Sequence, residues 1–436
     1  MKNTQIVIAL VALGAGFVLG YLTHRNGWIP VSVREGVREA AGVGSGAVES
    51  PMPAGEWYPQ TFVPGIDAET REQMASLGYL QASEAAPPVS GVVQFVPSLT
   101  QAGLNLYVDG HAPEAVLMDA QGEVLHTWSY PFEEVWPNYS PPEYVRNTGD
   151  KYWRRVHLLP NGDLLAIHDG IGMICVDKDS KLKWVYDKRA HHDLAVTEDD
   201  EIYVLTRTEH VVPRIDPERI VLEPGISVLS MDGTELRHVS LWECFENSPY
   251  AHVLEGLKGI VDVFHDNTIQ VFDGSQANRS PLFAKGKVLV SIWTLDAIAI
   301  VNLDTKTVEW YLAGMWDAQH ESELLPNGNM IIFDNRGDGG QSRILEFDSF
   351  TQEIVWSYRG TEERPFHTEW LENGNTLITE TKNGRAFEVT PKGETVWEFV
   401  NPNQVDQDGM TLIAALWEVE RVPEGYVEEW LTDQKD

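Results

Sequence analysis

The chain has little cysteine, little positive charge and only one long hydrophobic run. Its 436 residues include two cysteines, 32 basic residues and 66 acidic residues, which gives a formal net charge of −34. Cys175 and Cys244 are too few for a disulfide framework, and they lack the spacing of metal ligands. An oxidising compartment would allow one bridge between them, but the pattern favours two separate buried thiols.

The shortage of basic residues excludes one class of partner. A nucleic-acid-binding surface must be basic to meet the phosphate backbone, so this charge argues against nucleic acid. It also means that any anionic substrate must be drawn in by a local cationic pocket.

The one long hydrophobic run lies at the N-terminus. Residues 6–22 form 17 consecutive apolar positions, a length that just spans a bilayer as a helix. A cleaved signal peptide is the alternative, but residues 23–26 make a poor cleavage site, which favours an uncleaved anchor. The sequence therefore predicts a transmembrane anchor or signal at residues 1–25. A linker containing a short amphipathic helix at residues 68–80 follows over residues 26–102.

Turn residues and aromatic residues are abundant, and they recur at a regular spacing. The 15 tryptophans and 36 glycines favour short strands and turns over helices. From residue 103 onward one unit recurs six times: a turn, a strand, a polar loop, a strand, a second turn and a strand that ends in tryptophan and an aromatic residue. Equivalent tryptophans at Trp310, Trp356 and Trp397 are separated by a little over forty residues.

Repeats of this length with three or four strands each are typical of a β-propeller. The sequence therefore predicts an all-β fold, a six-bladed β-propeller over residues 103–436, with an N-terminal transmembrane helix and a linker. A strand within residues 412–422 is expected to return to the first blade and close the ring. The third copy carries an insertion between Arg207 and Pro224. A parallel β-helix is disfavoured because each unit contains a strand-turn-strand hairpin.

Histidines recur near the start of the innermost strand in four consecutive copies. Inner strands line the central channel of a propeller, so residues at equivalent points converge on its axis. Counting from the turn glycines places His367 one position out of register with His320. The histidines concerned are His191, His192, His265, His320 and His367.

A single histidine at a strand start most often caps a turn, but four equivalent positions point to chemistry. Zinc is disfavoured, because Asn267, Gln319 and Arg343 nearby are not zinc ligands and an arginine repels a cation. Histidines together with an arginine and amides suit an anion with several oxygens, such as sulfate or phosphate. A neutral imidazole can attack the central atom while arginine and histidine donors hold the oxygens.

Three segments resemble the arylsulfotransferases (arylsulfate sulfotransferases) of the bacterial periplasm. Residues 262–272 match a D-x-x-H-x-N-S/T segment, and residues 314–343 match a Q-H segment followed by P-x-G, F-D-N and S-R. Residues 367–402 are similar to the last blade of many members. The resemblance implies a six-bladed propeller that moves a sulfuryl group from an aryl sulfate to a phenol through a sulfated histidine. It implies no adenylyl sulfate donor, no cofactor and an extracytoplasmic location.

The resemblance also implies roles for individual residues. His367 would be the nucleophile, His265 and His320 would hold the sulfuryl oxygens or shuttle protons, and Arg343 would neutralise the group. Trp293 stands where many relatives have arginine, and it would stack on a phenol ring or fill the channel. The predicted substrate-binding residues are His192, Asn267, Asp334, Asn335 and Trp293.

Two other functions fit parts of the sequence. A non-catalytic extracytoplasmic propeller would bind a protein or glycan through its faces and would not need the channel histidines. A quinone-dependent oxidoreductase would also be rich in tryptophan, but the sequence has no matching constellation of Glu, Asn and Asp for its calcium.

Overall fold

Antiparallel strands form most of the regular structure in the computed structural model of this chain. The structure describes residues 53–60, 89–140, 149–257, 260–359, 367–407 and 410–431. The predicted anchor or signal at residues 1–25 and the predicted helix at residues 68–80 lie outside these ranges. In the described ranges, no helix is both long enough and apolar enough to cross a membrane.

The strands of the first three large sheets follow one another along the chain. Two short strands come first, namely β1 (Trp57–Pro59) and β2 (Gly91–Phe95). The first sheet contains β3 (Leu104–Asp109), β4 (Glu114–Met118) and β5 (Val124–Ser129). The second contains β6 (Arg155–Leu158), β7 (Leu164–His168), β8 (Gly172–Val176) and β9 (Leu182–Tyr186). The third contains β10 (Ala190–Val196), β11 (Glu201–Val211), β12 (Ile220–Ser230) and β13 (Glu235–Ser240).

The other three large sheets repeat this order. The fourth contains β14 (Asp266–Val271), β15 (Val288–Ile292), β16 (Ala297–Asn302) and β17 (Thr307–Ala313). The fifth contains β18 (His320–Leu324), β19 (Asn329–Asp338), β20 (Gln341–Asp348) and β21 (Ile354–Tyr358). The sixth contains β22 (His367–Trp370), β23 (Thr376–Glu380), β24 (Arg385–Val389) and β25 (Thr395–Val400), with β2 added at its edge.

The last strands complete two sheets. Strands β26 (Gln404–Gln407) and β27 (Met410–Ala414) form a small sheet with β1. Strand β28 (Leu416–Val422) pairs antiparallel with β3, so the end of the chain supplies the first strand of the first sheet. This pairing confirms the predicted closing strand. The described residues thus contain six large sheets, which equals the number of repeats in the sequence.

The helices among the described residues are short. They include three α-helices, α1 (Phe132–Val135), α2 (Leu241–Glu246) and α3 (Glu428–Leu431). Helix α2 is capped by Ser240, whose side chain accepts a hydrogen bond from the backbone N–H of Glu243. Three turns of 3₁₀-helix lie at Ala251–Leu257, Pro281–Phe283 and Trp293–Leu295.

Hydrophobic side chains pack between neighbouring sheets. Phe333 and Ile344 of the fifth sheet pack in one cluster with Ile378 and Phe387 of the sixth. Middle strands such as β7, β8, β23 and β24 are buried along their whole length, whereas outer strands such as β9 and β21 keep exposed positions. The two thiols also follow this pattern, since Cys175 and Cys244 are buried and free, as the sequence predicts.

The insertion in the third repeat lengthens one hairpin. Arg207 pairs with Pro224, and the ladder between β11 and β12 continues to the pair of Val211 and Ile220. The hairpin also lies beside the segment that precedes β14, because the backbone N–H of Leu222 donates to the carbonyl of Val261 at 2.8 Å.

A buried ion pair joins the closing strand to the sixth sheet. Arg421 on β28 lies 3.1 Å from Glu388 on β24, and its Nε donates to Asn105 on β3 at 2.9 Å. Glu388 in turn accepts hydrogen bonds from the Asn375 amide at 2.6 Å and from the backbone N–H of Gln101 at 2.8 Å. Because buried charges need partners, these bonds hold the first and sixth sheets together.

Replacing Arg421 with methionine should therefore destabilise the fold. The change leaves the Glu388 carboxylate buried without its cation, so the free energy of unfolding should fall by about 3–5 kcal/mol. The midpoint of denaturant unfolding measures this. Lys181→Met, which removes an exposed partner of Asp179, should leave the midpoint unchanged. If the midpoint of Arg421→Met is unchanged, the Arg421 contacts do not hold the first and sixth sheets together.

Candidate functional site

The first strands of successive sheets are linked side by side by polar contacts. The Asn267 amide donates to the carbonyl of Gln319 at 2.9 Å, which ties the fourth sheet to the fifth. The backbone N–H of Ile269 donates to the carboxylate of Asp193 at 2.8 Å, which ties the fourth sheet to the third. These contacts bring polar side chains from different repeats to one place.

The strand register aligns four of these side chains. In the first, second, fifth and sixth sheets, the residue five positions after the turn glycine pairs with a charged residue or a histidine on the first strand. The pairs are Val108 with Glu418, Ile167 with Arg155, Phe333 with His320, and Thr379 with His367.

The one-residue offset predicted between His320 and His367 is absorbed by a bulge. The ladder of β18 and β19 shifts between His320 and Glu323, so β18 contains one residue more than β22 over the same distance. Both histidines therefore stand on the same rung of their sheets.

Three site residues have backbone in the left-handed region. His192 and Glu321, with φ of 52° and 47°, lie at the bulges of β10 and β18, and His265, with φ of 48°, directly precedes β14 of the fourth sheet. This conformation costs a non-glycine residue about 1–3 kcal/mol and concentrates at functional sites. Three such residues in successive sheets point to a site at this end of the strands.

His367 lies in a cluster of buried charges. Its Nδ1 is 3.0 Å from Arg155 Nη1 and 3.5 Å from Glu321 Oε2. Arg155 donates to both oxygens of Glu321, at 2.9 and 3.2 Å, and it also bonds to Glu418. Asp193 lies 3.1 Å from Arg155 Nε. One guanidinium therefore holds three carboxylates and the candidate nucleophile together.

The protonation of His367 depends on this cluster. Burial lowers the pKa of His367, but the carboxylates of Glu321 and Glu418 outweigh it and the pKa is raised. Arg155 Nη1 can only donate, so in this arrangement Nδ1 accepts its hydrogen bond and the neutral ring carries its proton on Nε2. In the other tautomer, Nδ1–H turns to Glu321 in place of the Arg155 contact, and the lone pair is on Nε2. Nε2 is buried and has no hydrogen-bond partner among the described residues, so it is the atom that attacks in this second tautomer.

His265 is paired with a carboxylate. Its Nδ1 lies 2.7 Å from Asp262 Oδ2, and Asp262 also forms an ion pair with Arg207 at 3.2 Å. The ring of His265 lies 4.9 Å from that of His192 and 5.3 Å from that of Trp293, between centroids. An aspartate on Nδ1 orients the ring and leaves Nε2 as a base.

His192 is joined to a second histidine that is farther inside. Its Nδ1 lies 3.1 Å from Nδ1 of His191, which is fully buried. Burial lowers the pKa of both rings well below the ordinary value. Both are therefore neutral at pH 7.

His320 is also neutral. The Asn335 amide lies 2.8 Å from its Nδ1 and fixes the ring, and the predicted contact of Asn335 with substrate stays a prediction. Burial lowers the pKa of His320 to about 3, and the charge of Arg154 acts in the same direction. Arg154 comes from the second sheet and lies over the Trp417 ring at 4.5 Å.

The structure differs from the prediction for Arg343 and Asp334. Arg343 Nε donates to Asp334 at 2.8 Å, and Nη2 donates to the carbonyl of Met315 at 3.1 Å. Asp334 also accepts from the backbone N–H groups of Asp317 and Gly337. These bonds brace a loop, and among the described contacts none joins Arg343 to a site histidine. Neither predicted role, a cation for the sulfuryl group or a substrate contact, is supported by this geometry.

Trp293 lies at the edge of the candidate site. It is partly exposed, next to His265, and the Arg336 guanidinium lies 5.7 Å from the centre of its ring. Its predicted contact with a phenol stays a prediction. Asn267, by contrast, is used in the link between the fourth and fifth sheets.

Sequence reasoning missed most of the charged residues of the site. Most stand on a first strand or within a few residues of its start, near the histidines, and that position is the signal that could have found them; Arg207 instead lies on β11, the second strand of the third sheet. Those missed are Arg154, Arg155, Asp193, Arg207, Asp262, Glu321 and Glu418.

More carboxylates line the same strands farther along. Burial raises the pKa of Glu323 and of Glu420 to about 7, and that of Glu369 to about 8. Within the described ranges, no group of three or more histidine, cysteine or acidic residues has the geometry of a metal site.

Comparison with known proteins identifies the family. Residues 155–402, more than half of the chain, match the family model described as Arylsulfotransferase (ASST). The chain therefore belongs to the arylsulfotransferase family and is a β-propeller. No curated protein sequence matches it significantly.

Several solved structures are similar at low identity. A protein of unknown function from Bacteroides caccae is 12% identical, with 72% of this chain and 99% of that chain covered and a TM-score of 0.46. The WD40 β-propeller domain of Doa1 is 12% identical, with 76% and 96% covered and a TM-score of 0.42. Virginiamycin B lyase from Staphylococcus aureus is 12% identical, with 62% and 83% covered and a TM-score of 0.36. Scores this low carry no argument about function.

The charge cluster predicts how His367 titrates. Glu321→Gln removes a carboxylate that stabilises the imidazolium, so the pKa of His367 should fall. NMR titration of the histidine ring signals measures this. The control is Asp163→Asn. Asp163 is a buried carboxylate that is paired with Lys183, so its replacement should leave the pKa of His367 unchanged. An unchanged pKa in Glu321→Gln would contradict the cluster.

The buried carboxyl groups predict that stability falls as pH rises. Glu323, Glu369 and Glu420 have folded-state pKa values raised from 4.5 to about 7, 8 and 7, so their contribution to stability is present below pH 4.5 and is lost progressively as pH rises to the folded-state values. The unfolding midpoint should fall as pH rises from about 5 to about 8 and level off above that. Glu420→Gln should flatten the drop, because glutamine stays neutral. A midpoint that rises with pH over this window would contradict the prediction.

Proposed function

We propose that this chain is a sulfuryl transferase built on a six-bladed propeller, which moves a sulfuryl group from an aryl sulfate to a phenol through a sulfated His367. No adenylyl sulfate donor is needed. The observation that carries the proposal is the His367 ring, with Nδ1 beside Glu321 and a buried Nε2 without a described partner. Family membership supports the reaction class.

The sulfuryl oxygens need donors around the nucleophile. His320 stands on the same rung as His367, and its low pKa keeps the ring neutral. We assign the cationic role to Arg154, a buried guanidinium whose charge acts on both His192 and His320. A guanidinium and imidazole donors in a buried site match the oxygens of a sulfuryl group and stabilise the charge that develops on them.

The reaction takes two steps. His367 Nε2 attacks sulfur, the bond from sulfur to the aryl oxygen breaks, and the phenolate leaves. The acceptor phenol then attacks the same sulfur, the N–S bond breaks, and the phenol proton passes to a base. His265, oriented by Asp262, is the base that we assign, and its neighbour Trp293 stacks on the aryl ring.

The location is part of the proposal. The apolar run at residues 6–22 would anchor the chain in a membrane, and the propeller would lie on the extracytoplasmic side, as the family resemblance implies. Substrates would then be small aryl sulfates and phenols outside the cytoplasm.

Turnover of a chromogenic aryl sulfate tests the proposal. The purified chain should release the coloured phenol continuously only when a second phenol is present. His367→Asn should lower this rate at least about a thousandfold, since it removes the nucleophile. The control is His238→Asn. His238 lies on β13, the outer strand of the third sheet, so this change should leave the rate unchanged.

The intermediate is tested directly by mass spectrometry. Aryl sulfate alone should add one sulfuryl group to the wild-type chain and none to His367→Asn. The first step should also speed up with rising pH, because the raised pKa of His367 keeps part of the ring protonated near neutrality. Turnover without phenol dependence, or an unaffected His367→Asn variant, would contradict the mechanism.

Binding without catalysis is the second candidate. One observation favours it: three carboxylates enclose Arg155 next to His367, so this guanidinium is already neutralised and cannot attract a sulfate ester. A protein or glycan partner of such a propeller would bind equally well to His367→Asn. Wild-type chain that shows no turnover and takes up no sulfuryl group would decide for this candidate.

A further inference from the structure

A buried group of polar atoms lies behind His192, and the proposed mechanism does not use it. Asp266 and His191 are both fully buried, and they come from the first strands of the fourth and third sheets. His191 Nε2 and both carboxylate oxygens of Asp266 have no hydrogen-bond partner in the part of the chain that the structure describes. Such atoms are costly to bury and mark a function or a bound water.

The two groups face each other just beyond hydrogen-bonding distance. His191 Nε2 lies 3.9 Å from Asp266 Oδ2, which is too long for a direct hydrogen bond. On its other side, His191 Nδ1 lies 3.1 Å from His192 Nδ1. The imidazole of His191 therefore stands between the site histidine and a carboxylate that solvent does not reach.

We propose that His192, His191 and Asp266 form a proton relay that removes the proton of the acceptor phenol from the site. This inference rests on the proposed sulfuryl transfer and deepens it. His192 takes the proton at Nε2 from the phenol or from the adjacent His265 and gives up its proton at Nδ1. His191 accepts that proton at Nδ1 and releases the one on Nε2, through a bridging water, to Asp266. One N–H bond forms for each that breaks, and an O–H bond forms on Asp266.

The surroundings of Asp266 suit a group that accepts and returns protons near neutral pH. Burial raises the pKa of Asp266 to about 7, and Arg207 opposes this shift while Asp262 reinforces it. His265 and His191 are the other titratable groups that face it. The second step takes a proton from the acceptor phenol, and the next first step can return a proton to the leaving phenolate. A carboxyl group that holds the proton between these steps, as Asp266 would, fits the reaction.

The test separates the two steps by rapid mixing. Asp266→Asn keeps the shape of the side chain but cannot accept a proton. With an aryl sulfate whose phenol leaves without a proton, sulfation of the enzyme should proceed at the wild-type rate. Transfer from the sulfated enzyme to phenol should fall at least about tenfold, and its rise with pH near 7 should disappear. His191→Gln should show the same division. Asp163→Asn should show neither effect.

Infrared spectroscopy provides a readout that does not depend on turnover. The difference spectrum between pH 6 and pH 8 should contain a carbonyl band of a protonated carboxyl group that is missing from Asp266→Asn and present in Asp163→Asn. If the chain has no transferase activity but this band is found, the proposed function fails while Asp266 keeps its role as a buried proton acceptor. The relay is wrong if the difference spectrum of Asp266→Asn equals that of the wild type. It is also wrong if the variant does not slow the transfer to phenol.

Discussion

The contact of Arg155 with Glu321, Glu418 and Asp193 is the interaction on which the site depends. These four residues come from four different sheets, and each is buried or nearly so. A buried charge is stable only when it is paired, so removing Arg155 would leave three uncompensated carboxylates inside the protein. The cluster therefore fixes how the first strands stand relative to one another. His367, bonded to the same guanidinium, takes its position from it.

Burial divides the titratable groups of the site into two kinds. Burial removes the charge of imidazoles such as His320, while His367 beside Glu321 gains the tendency to hold a proton. The same burial raises the pKa of the Asp266 carboxyl group, although Arg207 opposes the shift. A site with neutral donors, one activated ring and a carboxyl group near neutrality contains what a transfer with proton movement requires. Against a formal charge of −34, Arg154 is the local cation that an anionic substrate would meet, because Arg155 is already neutralised by three carboxylates.

Much of the architecture could be predicted from the sequence, because turns and buried strands have local signatures. Asn327 and Gly328 mark a tight turn, and the apolar residues that follow form a strand covered on both sides. The closing strand β28 was predictable because a ring of blades closes when the end of the chain returns a strand to the first blade. The histidines were found because each begins an inner strand, and the repeats give their relative positions.

The partners of these residues could not be predicted in the same way. Arg343 followed a family motif, yet it pairs with Asp334 within its own sheet, a choice that depends on the geometry of one loop. The contacts of Arg155 cross between repeats and depend on register, and the bulge at Glu321 changes that register by one residue. A spacing rule counted along the sequence cannot include such a bulge, which is why His320 and His367 were placed one position apart.

The most direct test of this account is the position of the sulfuryl group on the enzyme. Nitrogen-15 NMR of histidine-labelled protein after reaction with an aryl sulfate distinguishes the two ring nitrogens. The account predicts a single sulfated histidine, His367, substituted at Nε2 with the proton retained on Nδ1 beside Glu321. A sulfated Nδ1, or a sulfuryl group on His265 or His320 instead, would contradict it.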